Sequence, residues 1–122
     1  MLTVASQARI YLAAGPTDLR KSFDTLAGQV RNRLKEDPLS GRWFVFCNAR
    51  RNRIKILFWE PSGYWVCAKR LEKGTFEWPS AEQSTAVHLS SEQLAVLLGG
   101  LEWRGMKQRA WYGTREEEKM NN

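Results

Sequence analysis

The chain has 122 residues, 43% hydrophobic and 26% charged, which suits one compact domain with a modest core and excludes two independent ones. Its net charge of +6 favours an anionic partner. No apolar run approaches the length of a membrane span, and residues 1–18 have too short an apolar stretch and the wrong flanks for a secretory signal, so the expected location is cytoplasmic with no membrane contact.

In chain order, Arg9 to Ala13 reads as a short strand stopped by Gly15-Pro16. Thr17 or Asp18 then suits an N-cap. Leu19, Phe23, Leu26, Ala27, Val30 and Leu34 follow at three- and four-residue spacing, the apolar stripe of a helix that ends near Lys35. Arg20, Lys21, Arg31 and Arg33 fall on its other face, and Asp37-Pro38-Leu39-Ser40-Gly41 forms the turn that follows. From Arg42 to Trp78 the pattern changes to short aromatic and β-branched runs separated at Asn48–Asn52, Pro61-Ser62-Gly63 and Lys73-Gly74, the signature of a four-stranded antiparallel meander. Thr85 to Leu89 adds a further short strand. Ser90 or Ser91 caps a second helix with Leu94, Leu97 and Leu98 as its apolar positions, and Gly99-Gly100 ends it. Trp103 and Trp111 either complete the core or form an aromatic and basic arm, and residues 114–122 have the composition of a frayed polar tail beyond a single domain at 1–113. The fold class is therefore α+β: an antiparallel meander of four to six strands against an N-terminal helix, with a second short C-terminal helix.

Charge is concentrated in the meander. Between Arg42 and Lys73, eight basic residues (Arg42, Arg50, Arg51, Arg53, Lys55, Lys69, Arg70, Lys73) stand against Glu60 and Glu72, so this segment carries as much net charge as the whole chain. If Asn48–Asn52 is the first loop, Cys47 faces Arg53, Val45 faces Lys55 and Trp43 faces Leu57. If Glu60–Gly63 is the second, Trp59 faces Tyr64, Lys55 faces Ala68 and Arg53 faces Arg70. In this register Phe44, Phe46, Ile54, Ile56, Phe58, Trp65, Cys67 and Leu71 pack beneath the first helix. Trp43, Arg53, Lys55, Trp59, Tyr64 and Arg70 share the opposite face, and Cys47 and Cys67 lie on opposite sides of the sheet. Arg53 beside Arg70 is a like-charge cross-strand pair, which costs stability and invites a bound anion.

This basic surface (Arg50, Arg51, Arg53, Lys55, Lys69 and Arg70) can neutralise nucleic-acid phosphates, with Trp43, Trp59 and Tyr64 as stacking or partner-contact residues. The rival reading is a solvated hairpin tip that keeps a sheet soluble. A two-residue turn at Lys73-Gly74 sets Trp78 opposite Lys69 as a cation–π pair. The spacing of His88, Asp18, Asp24 and the two cysteines matches no triad, metal site or redox pair, so neither catalysis nor a cofactor is expected.

The order of motifs TDLRKSFDTL, DPLSG, FVF, RIKILFW, KRLEKGTFEWP and LLGGLEW resembles the TnpB, or Orf2-like, accessory proteins of the insertion-sequence family numbered sixty-six, over Ile10 to Trp111. The resemblance implies a bacterial mobile-element protein that works beside a transposase of the same element without enzymatic activity of its own. It also implies that Arg50, Arg51, Arg53, Lys55, Lys69 and Arg70 occupy typically basic positions. Two expectations follow: a factor that binds DNA, in particular element ends, through the hairpin face, or a protein-interaction module that docks on the transposase or a sister protein.

Overall fold

The structure, a computed structural model, describes residues 9–20, 22–82 and 84–106. Chain order is β1 (Ile10–Ala13), α1 (Phe23–Asn32), β2 (Trp43–Cys47), β3 (Arg53–Glu60), β4 (Gly63–Arg70), β5 (Ala86–Leu89) and α2 (Ser91–Leu98). The strands form one five-stranded sheet in the order β4-β3-β2-β1-β5. The α+β class holds, but the sheet is mixed and the first helix follows β1. Because α1 carries the chain back across the sheet, β1 lies parallel to β2, and its other edge takes β5 antiparallel. That supplies the pairing partner that sequence alone leaves open for β1.

Both faces of the sheet are covered. Every residue of β2 is buried, which explains its unbroken apolar run WFVFC. On one face Phe44, Phe46 and Leu57 pack with Leu26, Ala27, Val30 and Leu34 of the α1 region. On the other, Trp43, Val45, Ile54, Ile56 and Phe58 pack with Phe76, Trp78, Leu94, Leu97 and Trp103. Trp103 is thus core; Trp111 and residues 114–122 lie outside the described residues.

The meander has three strands. Its expected fourth stretch leaves the sheet: the Phe76 N–H donates to Arg51 O at 2.6 Å, and the Trp78 indole donates to Ala13 O and Gly15 O at 3.0 and 3.2 Å. Trp78 is therefore a buried anchor between the end of β1 and α2's layer, and makes no cation–π pair with Lys69. Its indole N–H satisfies carbonyls that the parallel crossover leaves beyond the ladder.

The β3–β4 register is the one read from sequence, including Arg53 opposite Arg70. The β2–β3 register is displaced by one residue, with Cys47 opposite Ile54 and Val45 opposite Ile56. Asn48 is the cause. Its backbone N–H bonds Arg53 O at 3.2 Å, and its side-chain Oδ1 accepts from the N–H groups of Asn52 and Arg53, each at 3.0 Å. Asn48 thereby joins the ladder, and the loop closes over Ala49–Asn52 with Arg51 in the left-handed region at φ 59°. Since side chains alternate along a strand, the slip moves all of β2 relative to its predicted neighbours. Trp43 joins Ile54, Ile56 and Phe58 on the α2 face, whereas Arg53, Lys55 and Arg70 lie on the α1 face, the reverse of the expected assignment. Cys47 and Cys67 share the α2 face; they are free thiols because β3 runs between their strands.

α1 starts later than its apolar stripe suggests. The segment before it is held in a non-helical path: Thr17 N–H bonds Cys47 O at 2.8 Å, and Leu19 O accepts from Lys55 Nζ at 2.7 Å. Ser22 takes the N-cap position without a side-chain cap bond. By contrast α2 begins as read, with a full capping box between Ser90 and Gln93. No helix among the described residues is long and apolar enough to cross a membrane.

Candidate nucleic-acid interface

A concave groove of about 1120 Å³ opens where the Pro16–Arg20 segment passes the β2–β3 loop and the adjoining ends of β3 and β4, at the end of the sheet opposite the β3–β4 turn. Three stretches distant in sequence form it: Pro16–Arg20, Asn48–Arg50 with Arg53–Lys55, and Ala68–Arg70. Arg20, Arg50, Arg53, Lys55, Lys69 and Arg70 line it, against Asp18 as the acidic lining residue. Asp18 is engaged by Arg20, whose Nε and Nη2 donate to its carboxylate at 3.0 and 2.7 Å and whose guanidinium pKa is raised by that bond. The groove is therefore strongly cationic, as a site for a polyanion needs to be.

The α1 face makes this possible. Alternation along β3 and β4 aims Arg53, Lys55 and Arg70 toward the side on which the Pro16–Arg20 segment lies, so strand and loop cations converge. The Lys55 ammonium gives one of its three donors to Leu19 O and so ties the loop to the sheet at the floor of the groove. Arg53 and Arg70 face each other across the strands, with Arg70 Nε bound to Glu72 Oε2 at 2.9 Å on the exposed rim.

The remaining expected site residues separate from this cluster. Arg51 is exposed in the loop but does not line the groove. Lys69 lines it, yet its side chain belongs to the other face of β4, where Nζ donates to Leu98 O at 2.7 Å, at the C-terminal end of α2. Trp43 is unavailable for base stacking: it is 9% exposed and lies parallel to Phe58 with ring centroids 4.5 Å apart. Trp59 and Tyr64 form an edge-on pair at 5.1 Å, near the Glu60–Gly63 turn and six residues along β3 from Arg53, about 20 Å away at strand rise. They do not share the groove.

Three contributors were missed by reading the sequence. Arg20, expected on the solvent face of the first helix, lies before that helix begins. Arg33, expected on the same face, instead clamps the groove's loop: Nη1 donates to Thr17 Oγ1 at 3.0 Å and Gln29 Oε1 at 3.2 Å, and Nη2 donates to Ala14 O. Burial lowers its pKa, and Gly15, at φ 78°, lets the chain pass close beneath it. Asn48 is the third, as the residue that sets the register. Asn next to a basic loop was the available signal for a side-chain-closed turn; no spacing announces the Arg33 clamp.

The other chemistry is sparse. Among the described residues no three His, Cys, Asp or Glu side chains cluster as a metal site. His88 is exposed and packs edge-on against Tyr11 at 5.5 Å. Burial pushes the Cys47 thiol up to about 12.

Comparison with known proteins matches the family described as IS66 Orf2 like protein over residues 8–108. Two proteins of Sinorhizobium fredii are similar along most of their length: uncharacterized protein y4hO, 38% identical over 94% of this chain and 98% of its own, and uncharacterized protein y4jC, 35% identical over 83% and 86% respectively. No solved structure matches the chain. With the family match spanning most of the residues and a collinear relative over nearly the full length, the chain belongs to the IS66 Orf2-like family, the accessory proteins associated with transposition of IS66 elements.

Proposed function

We propose that this protein is a non-enzymatic transposition factor that holds DNA of its element, including its ends, in the groove between the Pro16–Arg20 segment and the β3–β4 hairpin. The observation that carries this reading is the convergence of Arg20, Arg50, Arg53, Lys55 and Arg70 on one concavity. Arg53 directly opposite Arg70 supports it, because two cationic side chains that face each other across the strands repel less when a phosphate lies between them, even with Arg70 Nε also bound to Glu72 Oε2. In this reading Arg50, Arg53 and Arg70 contact phosphates and Lys55 positions the loop. Arg51 and Lys69 are peripheral, and Trp43, Trp59 and Tyr64 take no part in stacking. The transposase of the same element is the protein partner that the family implies.

The test is fluorescence anisotropy of the full chain with labelled element-end and scrambled duplexes, comparing wild type with the Arg50→Ala/Arg53→Ala/Arg70→Ala variant. Loss of three phosphate contacts is expected to weaken binding by about 10- to 100-fold near 0.1 M salt. The fold should be kept, since all three side chains are exposed and removal of the Arg53–Arg70 pair relieves repulsion. Binding equal to wild type would refute the groove as the DNA site. The basic face would then be sought as a docking surface for an acidic region of the transposase.

A further inference from the structure

The sheet ends on one side in β4, an eight-residue strand without proline or bulge, and on the other in the four-residue β5. Long, regular edges are the ones that recruit another strand. Which backbone groups of β4 face outward follows from two bonds beside the Ala49–Asn52 loop. Asn48 N–H bonds Arg53 O at 3.2 Å, so Arg53 pairs toward β2; Leu71 N–H bonds Asn52 O at 2.8 Å, so Asn52 pairs toward β4. Alternation from there makes Ile54–Lys69, Ile56–Cys67 and Phe58–Trp65 the hydrogen-bonded pairs of the β3–β4 ladder. Tyr64, Val66, Ala68 and Arg70 therefore turn their N–H and C=O groups to the open side. Among the described residues, no backbone bond from outside the sheet reaches them.

The side chains of β4 are divided along its length, with aromatic Tyr64 and Trp65 in the first half and cationic Lys69 and Arg70 in the second. Trp65 is 56% exposed, the largest apolar side chain left open on this strand. A strand divided in this way is complementary to an antiparallel copy of itself. Parallel pairing would align Lys69 and Arg70 with their own copies. Antiparallel pairing about Cys67 sets Tyr64 beside Arg70 of the partner subunit and Trp65 beside Lys69 of the partner subunit, which are cation–π combinations.

We propose that two copies of this chain pair β4 to β4, antiparallel and centred on Cys67, to form a ten-stranded sheet across a twofold axis perpendicular to it. A twofold of that orientation keeps each residue on its own face, so only registers that pair like faces are allowed, and the one centred on Cys67 matches aromatic with cation at both ends. Val66 and Ala68 of the two copies then exchange backbone hydrogen bonds. Cys67 meets Cys67 of the partner subunit at a non-hydrogen-bonded position, where Cα atoms lie about 4.5 Å apart and within disulfide range. Both basic grooves would lie on the same side of the extended sheet, with Arg70 and its copy about 20 Å apart along the strands. The pairing stands or falls independently of DNA binding.

Two measurements on the full chain test it. Light scattering over a concentration series should show the mass double for wild type and remain monomeric for Ala68→Pro. That change removes an outward N–H and leaves the bonds to β3 in place; circular dichroism checks that the fold is kept. In parallel, brief treatment with diamide, which takes up the two electrons and two protons released by two thiols, should cross-link wild type and Cys47→Ala as dimers and leave Cys67→Ser uncross-linked. A wild-type chain that is monomeric throughout and gives no Cys67 cross-link overturns the proposal. So does a dimer that survives in folded Ala68→Pro.

Discussion

Arg33 shows how a single side chain shapes the site without entering it. Its guanidinium bonds Thr17 Oγ1, Gln29 Oε1 and Ala14 O from one fork, so the Pro16–Arg20 wall of the groove is held to α1. Arg33→Ala leaves partly buried acceptors without donors. A loss of about 1–3 kcal/mol is expected in urea unfolding, together with weaker DNA binding although Arg33 touches no ligand. Arg33→Lys should not restore stability, since one ammonium cannot span the three acceptors. A second expectation concerns the thiols. Burial raises Cys47 to about 12 and so suppresses its reactive thiolate, whereas Cys67 is only partly buried on the edge strand. Iodoacetamide on the native chain near pH 8 should label Cys67 and spare Cys47, with both labelled in denaturant; rapid labelling of native Cys47 would contradict the β2 register. At this scale the Arg53–Arg70 pairing was legible because β3 and β4 are joined by a two-residue turn that leaves little freedom of register. Trp43 was misassigned because the Asn48 side chain brings one more residue into the ladder, and a one-residue change reverses a strand's faces.

Among the elements, α2 is the one whose ends are written most plainly in local chemistry. Ser90 Oγ accepts from Gln93 N–H at 3.0 Å while Gln93 Oε1 accepts from Ser90 N–H at 2.9 Å, and Ser90→Ala should cost about 1 kcal/mol of thermal or urea stability. At its other end Lys69 Nζ meets Leu98 O, where a cation satisfies an unpaired helix carbonyl and opposes the negative end of the helix dipole. Lys69→Met is therefore expected to lower stability by about 0.3–1 kcal/mol, less at high salt, and to change DNA affinity far less than Arg53→Ala. An equal loss of affinity for the two would place Lys69 in the phosphate site instead. The start of α1 was not legible, because the apolar residue Leu19 fits the helical stripe while its backbone carbonyl is taken by Lys55, a partner 36 residues away. Likewise Phe76 and Trp78 carry strand-like composition, yet their hydrogen bonds go to a loop and to β1.

For the molecule as a whole, the groove exists because a parallel crossover sets β1 beside β2 and delivers the Pro16–Arg20 segment to the β2–β3 loop and the neighbouring end of β4. Its cations were visible as a cluster of charge in the sequence; its concavity was not, since it depends on contacts between segments some 30 and 50 residues apart. The family membership associates this architecture with transposition of IS66 elements, and the groove is the proposed site for DNA. The most direct test is the salt dependence of duplex affinity for wild type, Arg53→Ala/Arg70→Ala and Arg51→Ala. If the groove holds the phosphate backbone, log K falls linearly with log salt for wild type, the groove variant loses about 1.8 from the slope, and Arg51→Ala keeps it nearly unchanged. A groove variant with the wild-type slope, or a slope that falls only on loss of Arg51, would contradict the account.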